Sequence, residues 1–333
     1  MRRRPLIGFL MSLAAAWPLV AAAQQQARIH RIGILSPGRS DLPDPTANVI
    51  NAFQQRLQEL GYTQGQNIVV VRKYAEGNSD RLRELADELI RGNVDIIVAL
   101  STTAALAAKQ ETGTIPIAAI GMADPVADEL VVSLGRPGGN VTGTSFVGPE
   151  LVAKRLQLLR EMVPGLSRVA ALWHPNAYSK RTMTGVVKEI ETAAKGFALR
   201  LQLVPALSPD DIAGAFTAMA REHTDALIVT PSPMLFSEYP RIASMAASSR
   251  LPAMGAAREF ADLGGLMSYG ANLPELARQT AAYVDKILKG ATPAELPVEQ
   301  PSKYELVLNL GAAKALGITI PQSLLIQADE VIE

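Results

Sequence analysis

Cysteine is absent from the 333-residue chain, which excludes disulfides, cysteine nucleophiles and thiolate metal sites. Only three histidines occur, and they form neither HExxH nor a cluster, so no metal is expected. No P-loop is present, and no G-x-G-x-x-G follows an apolar run, so no nucleotide cofactor is implied. The nucleophile pattern G-x-S-x-G is missing as well. Gly143-Thr144-Ser145-Phe146-Val147 departs from it at the last position. Basic and acidic residues balance at 32 each, and aromatics make up only 5%. That leaves no basic face for nucleic acid and no acidic tail.

What is present begins with a targeting pattern. Arg2-Arg3-Arg4 is a basic n-region, Leu6 to Val20 is a mostly apolar h-region, and Ala21-Ala22-Ala23 precedes Gln24 as a cleavage site. A signal peptide at 1–23 is expected, with export to a periplasm. A membrane anchor is the alternative, but the apolar stretch is short and Pro18 interrupts it. No later run is long and apolar enough to span a bilayer, and without cysteine no lipid anchor on Cys is expected.

The organising stretch is Val94 to Gln110, VDIIVALSTTAALAAKQ. Ile96 to Leu100 is an uninterrupted apolar run, as in a strand buried on both faces of a parallel sheet. Ser101-Thr102-Thr103 then opens an alanine-rich helix. Unpaired N–H groups and the dipole at such a helix start favour an anion, and open α/β sheets bind ligands beyond the carboxyl ends of their strands. The bland alternative is that Ser101 or Thr102 only caps the helix.

Strands alternate with helices along the chain, which predicts doubly wound parallel sheets. From Val169 the pattern restarts. RIGILSPG (31–38) is echoed by RVAALWHPN (168–176), and VDIIVALSTTA (94–104) by TDALIVTPSPM (224–234). TIPIAAIGMAD (114–124) is echoed by RLPAMGAAREF (250–260), and GGNVTGTSF (138–146) by GGLMSYG (264–270). Four blocks in one order predict two similar α/β lobes. Gly138-Gly139 and Gly264-Gly265 are expected where the chain passes between them. Leu276, Tyr283 and Ile287 mark a long amphipathic helix, and Glu305 to Asn309 a last strand.

Four segments carry a family resemblance: Asp124-Pro125-Val126, SLGRPGGNVTG (133–143), REFADLGGLMSYG (258–270) and the tail LPVEQPSKYELVLNLGAAKALGITIPQSLL (296–325). With them the mature chain resembles the periplasmic substrate-binding proteins of ABC transporters, in the group with the tryptophan/tyrosine-binding TrpX-like proteins. The resemblance implies an α/β fold of two Rossmann-like lobes joined by a multi-strand hinge, the type I periplasmic binding protein fold. The N-terminal lobe is expected at 28–143 plus 271–292, and the C-terminal lobe at 144–270 plus 300–333. It also implies a non-enzymatic monomer that closes on a small molecule and delivers it to a permease with its ATPase. A sensor feeding a receptor kinase would use the same pocket, and a secreted α/β hydrolase is the more distant alternative.

In the aromatic amino-acid binders the hydroxyl segment after the third strand holds the carboxylate, which implies that role for Ser101, Thr102 and Thr103, with Asp124 beside them. Where those binders carry Asp-Asn in the second lobe, this chain has Thr230-Pro231-Ser232-Pro233. The Trp173-to-Tyr178 loop also departs from their pattern. The expected ligand is therefore a carboxylate lacking the α-amine, with an aromatic body as one version. Further candidates are Ser36, Arg39 and Ser40 after the first strand, and His174, Asn176 and Tyr178 after its echo. Ser232 and Arg258 complete the second lobe's set. Arg258 could hold a carboxylate or merely pair with Glu259 or Asp262. Trp173 reads as core and His223 as surface.

Overall fold

The computed structural model describes residues 29–40, 45–146 and 150–333. The expected signal peptide lies outside the described residues. The first lobe runs β1 (His30–Ser36), α1 (Pro45–Glu59), β2 (Ile68–Tyr74), α2 (Leu82–Arg91), β3 (Ile96–Leu100), α3 (Thr102–Glu111), β4 (Ile117–Met122) and β5 (Val141–Ser145). All pairings are parallel, in the order β2-β1-β3-β4-β5. β3 and β4 are buried at every residue, which is why both read as unbroken apolar runs.

The second lobe runs α4 (Glu150–Met162), β6 (Arg168–Trp173), α5 (Lys180–Gly196), β7 (Arg200–Pro205), α6 (Asp211–Arg221), β8 (Ala226–Val229) and α7 (Pro233–Ser237). It continues through α8 (Tyr239–Ser248), β9 (Ala253–Gly255), α9 (Glu259–Asp262) and β10 (Met267–Ala271). Next α10 (Leu273–Leu288) returns to the first lobe, burying Leu276, Tyr283 and Ile287 against α1, β4 and β5. The chain ends in the second lobe with β11 (Tyr304–Asn309), α11 (Leu310–Leu316), α12 (Gln322–Gln327) and β12 (Glu330–Ile332). That sheet is ordered β12-β11-β10-β9-β8-β6-β7, with β11 antiparallel to β10.

Strands β1, β3, β4 and β5 occupy the same places in their sheet as β6, β8, β9 and β10 do in theirs. These are the four blocks whose sequences echo one another. The last pair explains two of its glycines. A Cβ on Gly143 would stand 2.0 Å from the Ala119 carbonyl oxygen, and one on Gly270 would stand 1.8 Å from that of Ala256. Only glycine lets each fifth strand approach its neighbour this closely.

The Gly-Gly pairs are not crossing points. Gly138-Gly139 precedes β5 and Gly264-Gly265 precedes β10, each inside its own lobe. Gly265 is required because a Cβ there would lie 2.3 Å from the Phe260 ring. The chain crosses three times: after β5, between β10 and α10, and at Glu299–Pro301. The last crossing is stitched to the first lobe. Ser145 N–H donates to the Glu299 carbonyl at 2.8 Å, and Glu299 N–H donates to that of Gly143 at 3.0 Å.

The lobes are closed on each other. Ala177, Tyr178 and Met183 of the second lobe are buried in one apolar cluster with Leu100, Ile120 and Phe146. Asp128 of the first lobe accepts a hydrogen bond from the Thr182 hydroxyl of the second at 2.6 Å.

Candidate functional site: a cleft between the lobes with two cavities

Strand-end loops of both lobes face each other across the cleft and leave two cavities. The outer one, about 190 Å³, lies beyond β1, β2 and β3 on one side and β6, β7 and β8 on the other. Arg39, Glu76, Thr103, His174, Asn176 and Glu238 bring polar groups to it. The hinge cavity, about 440 Å³, lies beyond β4 and β5. Phe146 and Gln300, both on crossing segments, border it, and it reaches into the second lobe between α4 and α5.

The β3–α3 turn is a strained point of the first lobe. Ser101 has φ +90° and ψ 168°, a region almost confined to glycine and costing about 1–3 kcal/mol for other residues. Its hydroxyl pairs with Thr103 Oγ1 at 2.9 Å instead of capping α3. The first-turn N–H groups therefore have no side-chain cap, as an anion or polar oxygen would need. Thr102 behaves differently from its neighbours. It is fully buried, and its hydroxyl accepts the Ala123 N–H at 2.8 Å, tying the β3 turn to the β4 turn. Of the three hydroxyl residues, Thr103 alone borders a cavity and Thr102 is committed to the scaffold.

The other expected residues divide in the same way. Arg39, His174 and Asn176 border the outer cavity, and Asp124 and Tyr178 the hinge cavity. Asp124 is exposed, and its Oδ1 accepts the Ala127 N–H at 2.9 Å. His174 is buried with Nδ1 unpartnered, and burial holds its pKa below the usual histidine value. Tyr178 donates to the Pro231 carbonyl at 2.6 Å, and burial pushes its phenol pKa upward. Ser36 is fully buried and accepts the Gly38 N–H at 3.1 Å. Ser40 donates to Glu76 Oε1 at 2.7 Å, linking the loops after β1 and β2.

Ser232 is the N-cap of α7, accepting the Leu235 N–H at 3.0 Å, and is 1% exposed. Arg258 lies outside both cavities. It pairs with Asp262 at 3.1 Å and with Glu330 at 2.7 Å, so its charge is spent within the second lobe. Trp173 is half-buried against the cluster that joins the lobes.

Sequence reasoning missed Glu76, Glu238, Asp128 and Arg155. Glu76 accepts from Ser40, and Glu238 sits 3.7 Å from Arg241, so the two acids of the outer cavity already have partners. Asp128 is buried with Oδ2 unpartnered, and burial raises its pKa. Arg155 is buried on α4 and borders the hinge cavity. Its signal was in the sequence: it stands beside Val152, Leu156 and Leu159 on the apolar stripe of that helix, where a charge is out of place.

The family model described as ABC transporter substrate binding protein matches residues 44–332. The chain belongs to that family. Its members are binding proteins and not enzymes, and the two-lobed α/β fold is the type I periplasmic binding protein fold. Among similar structures, a conserved domain protein from Vibrio cholerae is 27% identical, with a TM-score of 0.83 over 91% of this chain and 100% of that chain. An ABC domain from Streptococcus pneumonia in complex with L-Trp is 28% identical, with a TM-score of 0.82 over the same shares. A tyrosine-binding protein from Clostridioides difficile is 24% identical over 79% of this chain and 75% of that relative. Among the described residues of this substrate-binding protein, no helix is long and apolar enough to cross a membrane, and no acid or histidine cluster suits a metal.

Proposed function

We propose that the protein is an exported periplasmic receptor that closes its lobes on a small carboxylate-bearing solute with a hydrophobic, aromatic-sized body. It then presents the loaded form to a permease and its ATPase. The turn at Ser101 carries this reading. A residue held in a glycine-only conformation beside an uncapped helix start, with Thr103 two residues on bordering a cavity shared with the second lobe, is strain of the kind retained at ligand clamps. Thr103, Arg39, His174 and Asn176 supply polar contacts in the outer cavity, and Tyr178 and Asp124 border the inner one. Thr102, Ser36 and Ser232 support these loops. Contacts from both lobes exist together only in the closed form, so the solute shifts the open–closed balance by its differential affinity.

Tryptophan- and tyrosine-binding relatives support a solute of that size. The amine is another matter, because Glu76 and Glu238 are already partnered. The test is a thermal-shift screen of tryptophan, tyrosine, their deaminated acids and the matching amides. A ligand at a thousandfold its dissociation constant adds about 4 kcal/mol, a melting shift of several degrees. Trp173 fluorescence checks each hit. Shifts with the deaminated acids are expected. Shifts confined to the amino acids overturn the amine-free solute, and silence from every carboxylate overturns the reading.

A further inference from the structure

We propose that Arg155 is the anion receptor of the cleft, and that the hinge cavity takes a hydrophobic monocarboxylate whose acid group pairs with its guanidinium. This rests on the solute-receptor reading and deepens it by naming the residue, the compartment and the solute class.

Arg155 is 4% exposed. Its Nε donates to the Tyr269 carbonyl at 2.8 Å, and no carboxylate among the described residues pairs with it. Among the described residues a charged group's usual solutions are thus missing: the side chain is not in water and no carboxylate neutralises it. A guanidinium does not shed its proton in a protein, and an uncompensated buried charge is costly. Two of the nearby hydroxyls are engaged elsewhere. Tyr178 donates to the Pro231 carbonyl, and Tyr239 accepts the Ala256 N–H at 3.0 Å.

The space beside Arg155 suits one kind of molecule. At about 440 Å³ the hinge cavity falls in the range of small-molecule sites. Its walls are Phe146, Leu151, Val152, Val186, Ile190 and Ile228. Its other charged residues, Asp124, Arg181 and Glu189, are exposed, so they belong to its solvent side. The interior therefore offers an apolar chamber with a single buried cation. One cation calls for one acid group, and the guanidinium fork matches a carboxylate with two parallel hydrogen bonds. Asp128, a buried acid of the first lobe, is held by Thr182 and is not among the cavity's lining residues, so an amine finds no acid in the cavity's interior.

Calorimetric titration with 3-phenylpropanoate and its neutral isostere 3-phenylpropanamide tests this on wild type, Arg155→Met, Arg155→Lys and a Ser101→Ala/Thr103→Ala double variant. Wild type is expected to prefer the acid by about a hundredfold, and R155M to lose that preference by weakening acid binding alone. The melting temperature of R155M without ligand should be unchanged or higher, because a methionine removes the unpaired charge at similar volume. The double variant, made at the turn that borders the outer cavity, should keep the preference for acid over amide whatever its effect on affinity. Acid binding by R155M equal to wild type overturns the proposal, as does a wild type that does not distinguish acid from amide. If R155M is unaffected while the double variant loses the acid, the solute-receptor reading survives and the acid belongs at the β3–α3 turn. If R155M does not fold, R155K decides. It keeps charge and stem but not the fork, so weaker acid affinity with unchanged amide affinity supports the proposal, and unchanged acid affinity overturns it.

Discussion

The two lobes share one strand order, yet their equivalent strand-to-helix turns have opposite characters. After β3, Ser101 is strained and its hydroxyl leaves the helix uncapped. After β8, Ser232 sits in extended backbone, caps α7 through the Leu235 N–H, and is followed by Pro233 at the helix start. The first lobe keeps its backbone donors unspent at the cleft, whereas the second satisfies its own. The second lobe's buried positive charge at the cleft comes instead from a side chain, Arg155, rising from α4. A duplicated topology thus fixes where a site lies, and the loops decide which lobe supplies donors and which supplies charge.

The largest effect is expected where the lobes touch. Thr182→Val removes the hydroxyl that Asp128 accepts from and leaves a buried carboxylate with less support. Closure should become harder by about 1–3 kcal/mol, read as weaker affinity for any solute. Asp128→Asn should act in the other direction at neutral pH. Burial raises the Asp128 pKa, and the Asp124 charge adds to that. The closed form therefore holds a proton more tightly than the open form does. Its contribution to closure is complete below the ordinary aspartate value near pH 4 and is lost as pH rises through the raised one. Trp173 fluorescence and small-angle scattering between about pH 4 and pH 7 should show closure weakening in wild type and flat in D128N. A wild-type response with no pH dependence removes Asp128 from the lobe contact.

Next come the two turns themselves, with opposite signs. Ser101→Gly should relieve strain and stabilise by about 1 kcal/mol, because glycine accepts that backbone freely. Ser232→Ala should cost about 1 kcal/mol through the lost cap. Urea denaturation measures both. Destabilisation by S101G as well would mean that the β3–α3 turn is held by its serine side chain, and the contrast between the lobes would fall.

Much of the fold was legible in the chain itself. Ile96 to Leu100 and its counterparts are continuous apolar runs because both faces of those strands are covered. The four echoed blocks are the four strands that occupy equivalent places. What escaped was set by tertiary packing. β12 is a short, largely exposed edge with no apolar pattern. The glycine pairs looked like crossings, but Gly265 serves the Phe260 ring. At the site, three consecutive hydroxyl residues looked alike, yet helix geometry turns Thr102 inward to Ala123 and Thr103 outward to the cavity. Ser101's conformation has no sequence signature. Arg155 did leave one, a charge on the apolar stripe of α4.

Arg258 gives the smallest effect and the sharpest check on which second-lobe cation faces the cleft. Both arginines precede or sit on helices of the same lobe, and only sequence position recommended Arg258. Its partner Glu330 is 72 residues away on the edge strand β12, beyond the reach of sequence pattern. Those ion pairs raise its pKa, the Glu330 hydrogen bond first and the Asp262 bond second, and they leave it about one-third exposed. Arg258→Ala should cost at most about 1 kcal/mol, the usual worth of a solvent-screened pair, with the edge strand loosened first. Solute affinity should be unchanged, in contrast with R155M. Hydrogen exchange at Glu330–Ile332 beside a titration with 3-phenylpropanoate separates the two arginines. Faster exchange with intact binding keeps Arg258 structural, and weakened binding brings it back to the cleft.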